Sequence, residues 1–163
     1  MSAAPLLELE KGSMAFGGLT CVSKLDLHVD EGEIVSVIGP NGAGKTTLFN
    51  LVTGVYAPTE GDIRFAGETI TGLEPHRITR KGIARTFQRL EVFGSLTVRE
   101  NVLVAAEMRR RWATEKYRPA DVVDELLERV GVADLAGKAV ASLATGHARP
   151  AQVARALADS PPL

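Results

Sequence analysis

With 163 residues, 45% of them hydrophobic and 24% charged, the chain has an ordinary globular composition, enough for one core or a core with a small appendage. Its 19 Lys and Arg against 20 Asp and Glu give a net charge of −1, which excludes a global field for nucleic acid or for an acidic membrane surface. No apolar run approaches the roughly twenty residues of a bilayer span, Met1-Ser2-Ala3-Ala4-Pro5 carries no leader pattern, and the single Cys21 excludes an internal disulfide, so a cytosolic chain is expected.

The first region, from Leu6 to about Gly94, is short strands punctuated by turns. Strands are predicted over 6–10, 24–29, 33–38 and 61–67, with turn signals at Asp30-Glu31-Gly32 and Thr59-Glu60-Gly61. Alternation in Leu25, Leu27 and Val29 predicts a half-buried sheet, whereas Ile34 to Ile38 is nearly all apolar and predicts a strand covered on both faces. An antiparallel layer beside a parallel core is the expected arrangement.

Directly after that apolar strand comes Gly39-Pro40-Asn41-Gly42-Ala43-Gly44-Lys45-Thr46-Thr47, and from Thr47 to Val55 a predicted helix. The run satisfies G-x-x-x-x-G-K-[ST] in the strand-then-helix context that a phosphate loop requires. Glycines let successive backbone N–H groups turn inward around a β-phosphate, and the helix that follows presents the positive end of its dipole. Lys45 would place a point charge on the β- and γ-phosphates, and the Thr46 hydroxyl would join a Mg²⁺ shell.

The second region is helical. Thr97-Val98-Arg99-Glu100 has capping-box spacing and predicts a helix of about three turns. Asp121 is expected to cap another, whose Val123, Leu126, Leu127 and Val130 define one buried face. Between them lies the basic cluster Arg109-Arg110-Arg111-Trp112, able to meet phosphate or lipid headgroups but read as a solvated helix end.

The spacing of the phosphate loop, Gln88 in Ala84-Arg85-Thr86-Phe87-Gln88, and Leu143-Ala144-Thr145-Gly146 resembles the ATP-binding subunit of ABC transporters over nearly the whole chain. Phe16-Gly17-Gly18-Leu19-Thr20 and Gly82-Ile83-Ala84-Arg85-Thr86-Phe87-Gln88 resemble the branched-chain amino-acid importer type within it; urea importers read similarly. The resemblance implies an α/β fold: a phosphate-loop NTPase core with an antiparallel β subdomain over 1–95, a helical subdomain over 96–142, and a signature segment with the start of the returning core over 143–163.

It further implies ATP and Mg²⁺ as cofactors, Gly39 to Thr47 as the phosphate site, Lys45 and Gln88 in catalysis, and Thr46 and Gln88 toward the metal. Phe16 would stack on adenine, where an aromatic face offers dispersion without demanding hydrogen bonds; the alternative is a core phenylalanine. Arg77, Arg80, Lys81, Arg85 and Arg89 crowd the Gln88 region and are expected to be mostly solvated. Implied partners are membrane-spanning permease subunits, a second ATPase subunit and, indirectly, a solute-binding protein, with no nucleic acid. The implied location is cytoplasmic, peripheral on the inner face of the plasma membrane.

Two departures from the pattern stand out. The signature reads Leu143-Ala144-Thr145-Gly146-His147, with no serine hydroxyl, and Pro150 follows Gly146 by four residues. In a helix begun at the signature the proline ring would meet the Gly146 carbonyl at a cost of about 3 kcal/mol, so the helix carrying Val153, Ala154, Ala156 and Leu157 is predicted to start near Arg149 or Pro150. The sequence also ends at Pro161-Pro162-Leu163, where the resemblance calls for the apolar strand with the Walker B aspartate and catalytic glutamate. The expectation is a truncated ATPase subunit, the alternative a nucleotide-binding module without turnover. An unrelated GTPase is the weakest option, since Asp134-Leu135-Ala136-Gly137 fits D-x-x-G but follows a helix, and no N-K-x-D occurs.

Overall fold

The protein is described from a computed structural model covering residues 4–86 and 92–159. These form two compact units, the first ending at Ile83 and the second beginning at Ala84.

The first unit is built on four antiparallel strands, β1 (Leu7–Phe16), β2 (Leu19–Val29), β3 (Glu60–Phe65) and β4 (Glu68–Thr69), in the order β2-β1-β3-β4. The β1–β2 ladder pairs Leu7 with Val29 and Phe16 with Leu19, and Leu7 pairs on its other side with Phe65. Period-two alternation sends Leu7, Leu9, Ile63 and Phe65 inward. Against them pack Leu48, Leu51 and Val52 of helix α1 (Lys45–Val52) and Ile78 of helix α2 (Pro75–Lys81). The strands predicted over 6–10 and 24–29 thus form, lengthened by ladder pairing, and the one predicted over 61–67 forms over 60–65, with Ala66 and Gly67 in the turn to β4. Glu60 and Gly61, read as a turn, instead open β3. Leu25 and Leu27 are half-buried as the alternation requires.

Residues 33–38 correct the reading of a doubly covered strand. They join no ladder among the described residues, and Ile34 and Ile38 are 94% and 91% exposed. Only Val37 packs, in part, on the core. An apolar run encodes a tendency to be buried, but a strand exists only where a neighbour supplies backbone partners. No described strand lies beside this one.

The second unit holds helices α3 (Val98–Arg109), α4 (Pro119–Arg129) and α5 (Thr145–Leu157), with short 3₁₀ turns at Ala133–Leu135 and Val140–Ser142. Its core combines Val98, Val102 and Ala106 of α3, Val123 and Leu127 of α4, and Ala148, Ala151 and Ala154 of α5. The capping box forms as read: the Thr97 hydroxyl accepts from the Glu100 amide at 3.2 Å, and the Glu100 carboxylate accepts from the Thr97 amide at 2.7 Å. The Thr97 amide, with the Thr97 hydroxyl donating at 2.8 Å, holds the Glu100 carboxyl below its ordinary pKa. Asn101, fully buried, accepts from the Phe93 amide at 2.8 Å and donates to the carbonyls of Phe93 and Thr97 at 3.0 Å each.

Two helix starts differ from the sequence reading. Asp121 is not the cap of α4, because Pro119 occupies the first turn and Arg118 the cap; a proline there gives up only an amide that has no partner anyway. More consequential, α5 begins at Thr145, not at Arg149 or Pro150, and runs through the proline. Ala148, Ala151, Ala154 and Ala158 are 2% exposed or less and tie the helix to its core on both sides of Pro150. Gly146 is exposed, so water can satisfy the carbonyl that Pro150 leaves without an amide. Burial of the alanine face outweighs the local penalty.

Candidate functional site

The phosphate-loop residues occupy the link between the exposed 33–38 segment and α1. Ala43 N–H donates to the Pro40 carbonyl at 3.3 Å, closing a turn, and Gly42 and Gly44 both sit in the left-handed region, at φ 84° and 82°. Positive φ suits glycine because it lacks the Cβ that would crowd the carbonyl. At Gly44 a second constraint acts: a Cβ there would lie 2.4 Å from the Cys21 carbonyl oxygen, so the loop rests directly on β2. Cys21 is a β2 residue, and its backbone is the seat.

Gly44 caps α1, and no side chain bonds to that cap; the first turn holds no acidic residue. The leading amides, with no carbonyl four residues back, thus keep their positive end free of a competing side-chain anion. Lys45, half-buried, folds back so that Nζ donates to the carbonyls of Gly39 and Pro40, both at 2.6 Å. These are short, charge-assisted bonds, and they wrap the loop around an ammonium. Thr46 is exposed at the second position of α1, and Thr47 is half-buried beside it.

The other residues read from sequence fall elsewhere. Phe16 ends β1, 40% exposed, with its ring edge-to-face against Tyr56 at 5.1 Å and 75°. Tyr56 escaped the sequence reading; its only signal is an aromatic in the turn just past α1, where its amide donates to the Asn50 carbonyl at 3.2 Å. Gly146 lies in the first turn of α5 in the second unit, exposed, and a Cβ added to it would meet nothing within 4 Å. Gln88 lies outside the described residues.

The residues present fit a polyphosphate: left-handed glycines, an uncapped helix start and one ammonium. For Mg²⁺ the described residues offer the Thr46 hydroxyl and no cluster of three or more His, Cys, Asp or Glu.

Fold and loop together define a nucleotide-binding cassette. A sequence profile for the ABC transporter family matches residues 22–163, and the chain belongs to that family. It is 40% identical to BraF of Pseudomonas aeruginosa, a high-affinity branched-chain amino acid transport ATP-binding protein, over 96% of this chain and 66% of BraF. LivG of Escherichia coli, described in the same words, is 39% identical over the same shares. A solved ATP-binding cassette of an ABC transporter in its ADP conformation superposes with a TM-score of 0.83 at 27% identity, over 98% of this chain and 66% of that one. The chain therefore spans about two thirds of the length of the curated relatives it matches, 66% of BraF and of LivG. No helix among the described residues is long and apolar enough to cross a membrane.

Proposed function

We propose that this chain is the ATP-binding subunit of an ABC importer for branched-chain amino acids, and that it binds Mg-ATP on Gly39 to Thr47. The observation that carries the reading is the loop coiled around the Lys45 ammonium at the uncapped start of α1. On ATP binding, Lys45 exchanges the carbonyls of Gly39 and Pro40 for β- and γ-phosphate oxygens. The amides from Gly42 to Thr46 would donate to the same phosphates, and Thr46, with Gln88 as the family resemblance implies, would hold the Mg²⁺ that neutralises them. Phe16, braced by Tyr56, offers its free face to adenine, and Gly146 meets the nucleotide held by a second ATPase subunit. Membrane-spanning permease subunits are the partners, reached from the cytoplasmic side of the plasma membrane, with a solute-binding protein upstream. The names of BraF and LivG support the solute class.

Calorimetric titration with Mg-ATP tests this reading. Wild type should bind, and Lys45→Met should bind about 10- to 100-fold more weakly, as expected for losing charge-assisted bonds of roughly 1.5–3 kcal/mol. Equal affinity in the two proteins would refute the site. Phosphate release measured in parallel separates turnover from binding alone.

A further inference from the structure

We propose that the segment 108–118, the end of α3 together with the connector to α4, is a contact for an anionic lipid surface. It carries Arg109, Arg110, Arg111, Lys116 and Arg118 against Glu115 alone, a local charge of +4 in a chain of −1. The sequence reads this cluster as a solvated helix end, but the structure shows a folded platform. The amides of Arg111, Trp112 and Ala113 donate back to the carbonyls of Met108 and Arg109, at 2.9–3.0 Å. The Tyr117 hydroxyl donates to the Ala106 carbonyl at 2.6 Å, fastening the far end of the connector to α3.

Arg109 serves as an internal strut. Its side chain is only 13% exposed, it pairs with Glu115, and its guanidinium lies 4.7 Å over the Tyr117 ring. The remaining cations face solvent: Arg110 and Arg118 have side chains 59% and 82% exposed, and Arg111 and Lys116 are exposed as well. Arg110 pairs with Glu107 at 2.7 Å and Arg118 with Asp121 at 3.8 Å, but pairs this open to water hold their charges weakly. Among these cations stand Met108, 52% exposed, and the half-buried Trp112.

That combination selects the occupant. A free phosphate needs convergent donors and gains nothing from a methionine or an indole. A headgroup layer takes both, accepting Lys and Arg at its anionic surface and Trp and Met at its boundary with the acyl chains. The contact is direct, in addition to any attachment through permease subunits, and does not depend on the nucleotide site.

Trp112 is the only tryptophan in the chain, so its fluorescence reports on the patch. The 163-residue protein is titrated with vesicles of phosphatidylcholine, with and without phosphatidylserine, at low salt. The expected result is a blue shift with the phosphatidylserine vesicles only, reversed by salt. The double variant Arg111→Gln with Lys116→Gln should lower the partition coefficient roughly fivefold per charge, about twenty-five-fold in all, while its affinity for ATP stays unchanged. The proposal is overturned by no shift, by an equal shift with neutral vesicles, by the same shift with inorganic phosphate or polyglutamate, or by full binding of the double variant.

Discussion

Replacing Gly44 by alanine tests whether the phosphate loop is held by its seat on β2 or by local backbone preference alone. Two costs add at this position. An L-residue at φ 82° costs about 1–2 kcal/mol for the left-handed conformation. The new Cβ would also stand 2.4 Å from the Cys21 carbonyl oxygen and 3.3 Å from a Val22 methyl, so either β2 or the loop must move. Overpacking of this kind costs about 1–3 kcal/mol, for a total of roughly 2–5 kcal/mol. Gly42 is the internal control: its φ is 84°, but a Cβ there meets nothing within 4 Å. Gly42→Ala should therefore cost only the conformational part, about 1–2 kcal/mol. Hydrogen exchange of the α1 amides under increasing urea reads the first unit alone and gives both values. If the two variants were destabilised alike, or Gly42→Ala the more, the loop would not depend on the β2 backbone and the seat would be wrong.

Two further predictions concern the second unit. Pro150→Ala restores an amide to the Gly146 carbonyl inside α5 and should stabilise the unit by about 2 kcal/mol, after allowing for the looser unfolded chain; urea unfolding followed by Trp112 fluorescence measures it, and a loss of stability would refute the cost assigned to the proline. Asp159 is pushed above the ordinary aspartate value of 3.8 by burial, with Arg109 and Arg155 opposing in part. A raised carboxyl favours folding in its protonated form, so its contribution is full below the unfolded pKa and is lost as pH rises through the folded one. Asp159→Asn should thus match wild type in acid and exceed it in stability toward neutral pH; a gap that widened on acidification would reverse the sign.

The coiled loop before α1 was legible because its geometry is local. Gly42 and Gly44 take left-handed backbone and Lys45 folds its ammonium back onto the same short stretch, and a spacing pattern encodes that directly. The capping box of α3 was legible for the same reason, since Thr97 and Glu100 satisfy each other's amides across three residues. Family membership followed from such local signatures spread along the chain.

Tertiary structure decided the rest, wherever a residue's role depends on what lies across space from it. Pro150 argued for a late start to α5, and the buried alanine face overruled it, because contacts with α3 and α4 are invisible in the local sequence. The apolar run from Ile34 to Ile38 specified a strand's composition, yet strand pairing takes a neighbour that no described residue provides. Tyr56 beside Phe16, Cys21 beneath Gly44 and Arg109 folded onto Tyr117 are all pairings of distant positions. A sequence states what each side chain and each turn prefers; only packing of the whole chain settles which preferences are met together.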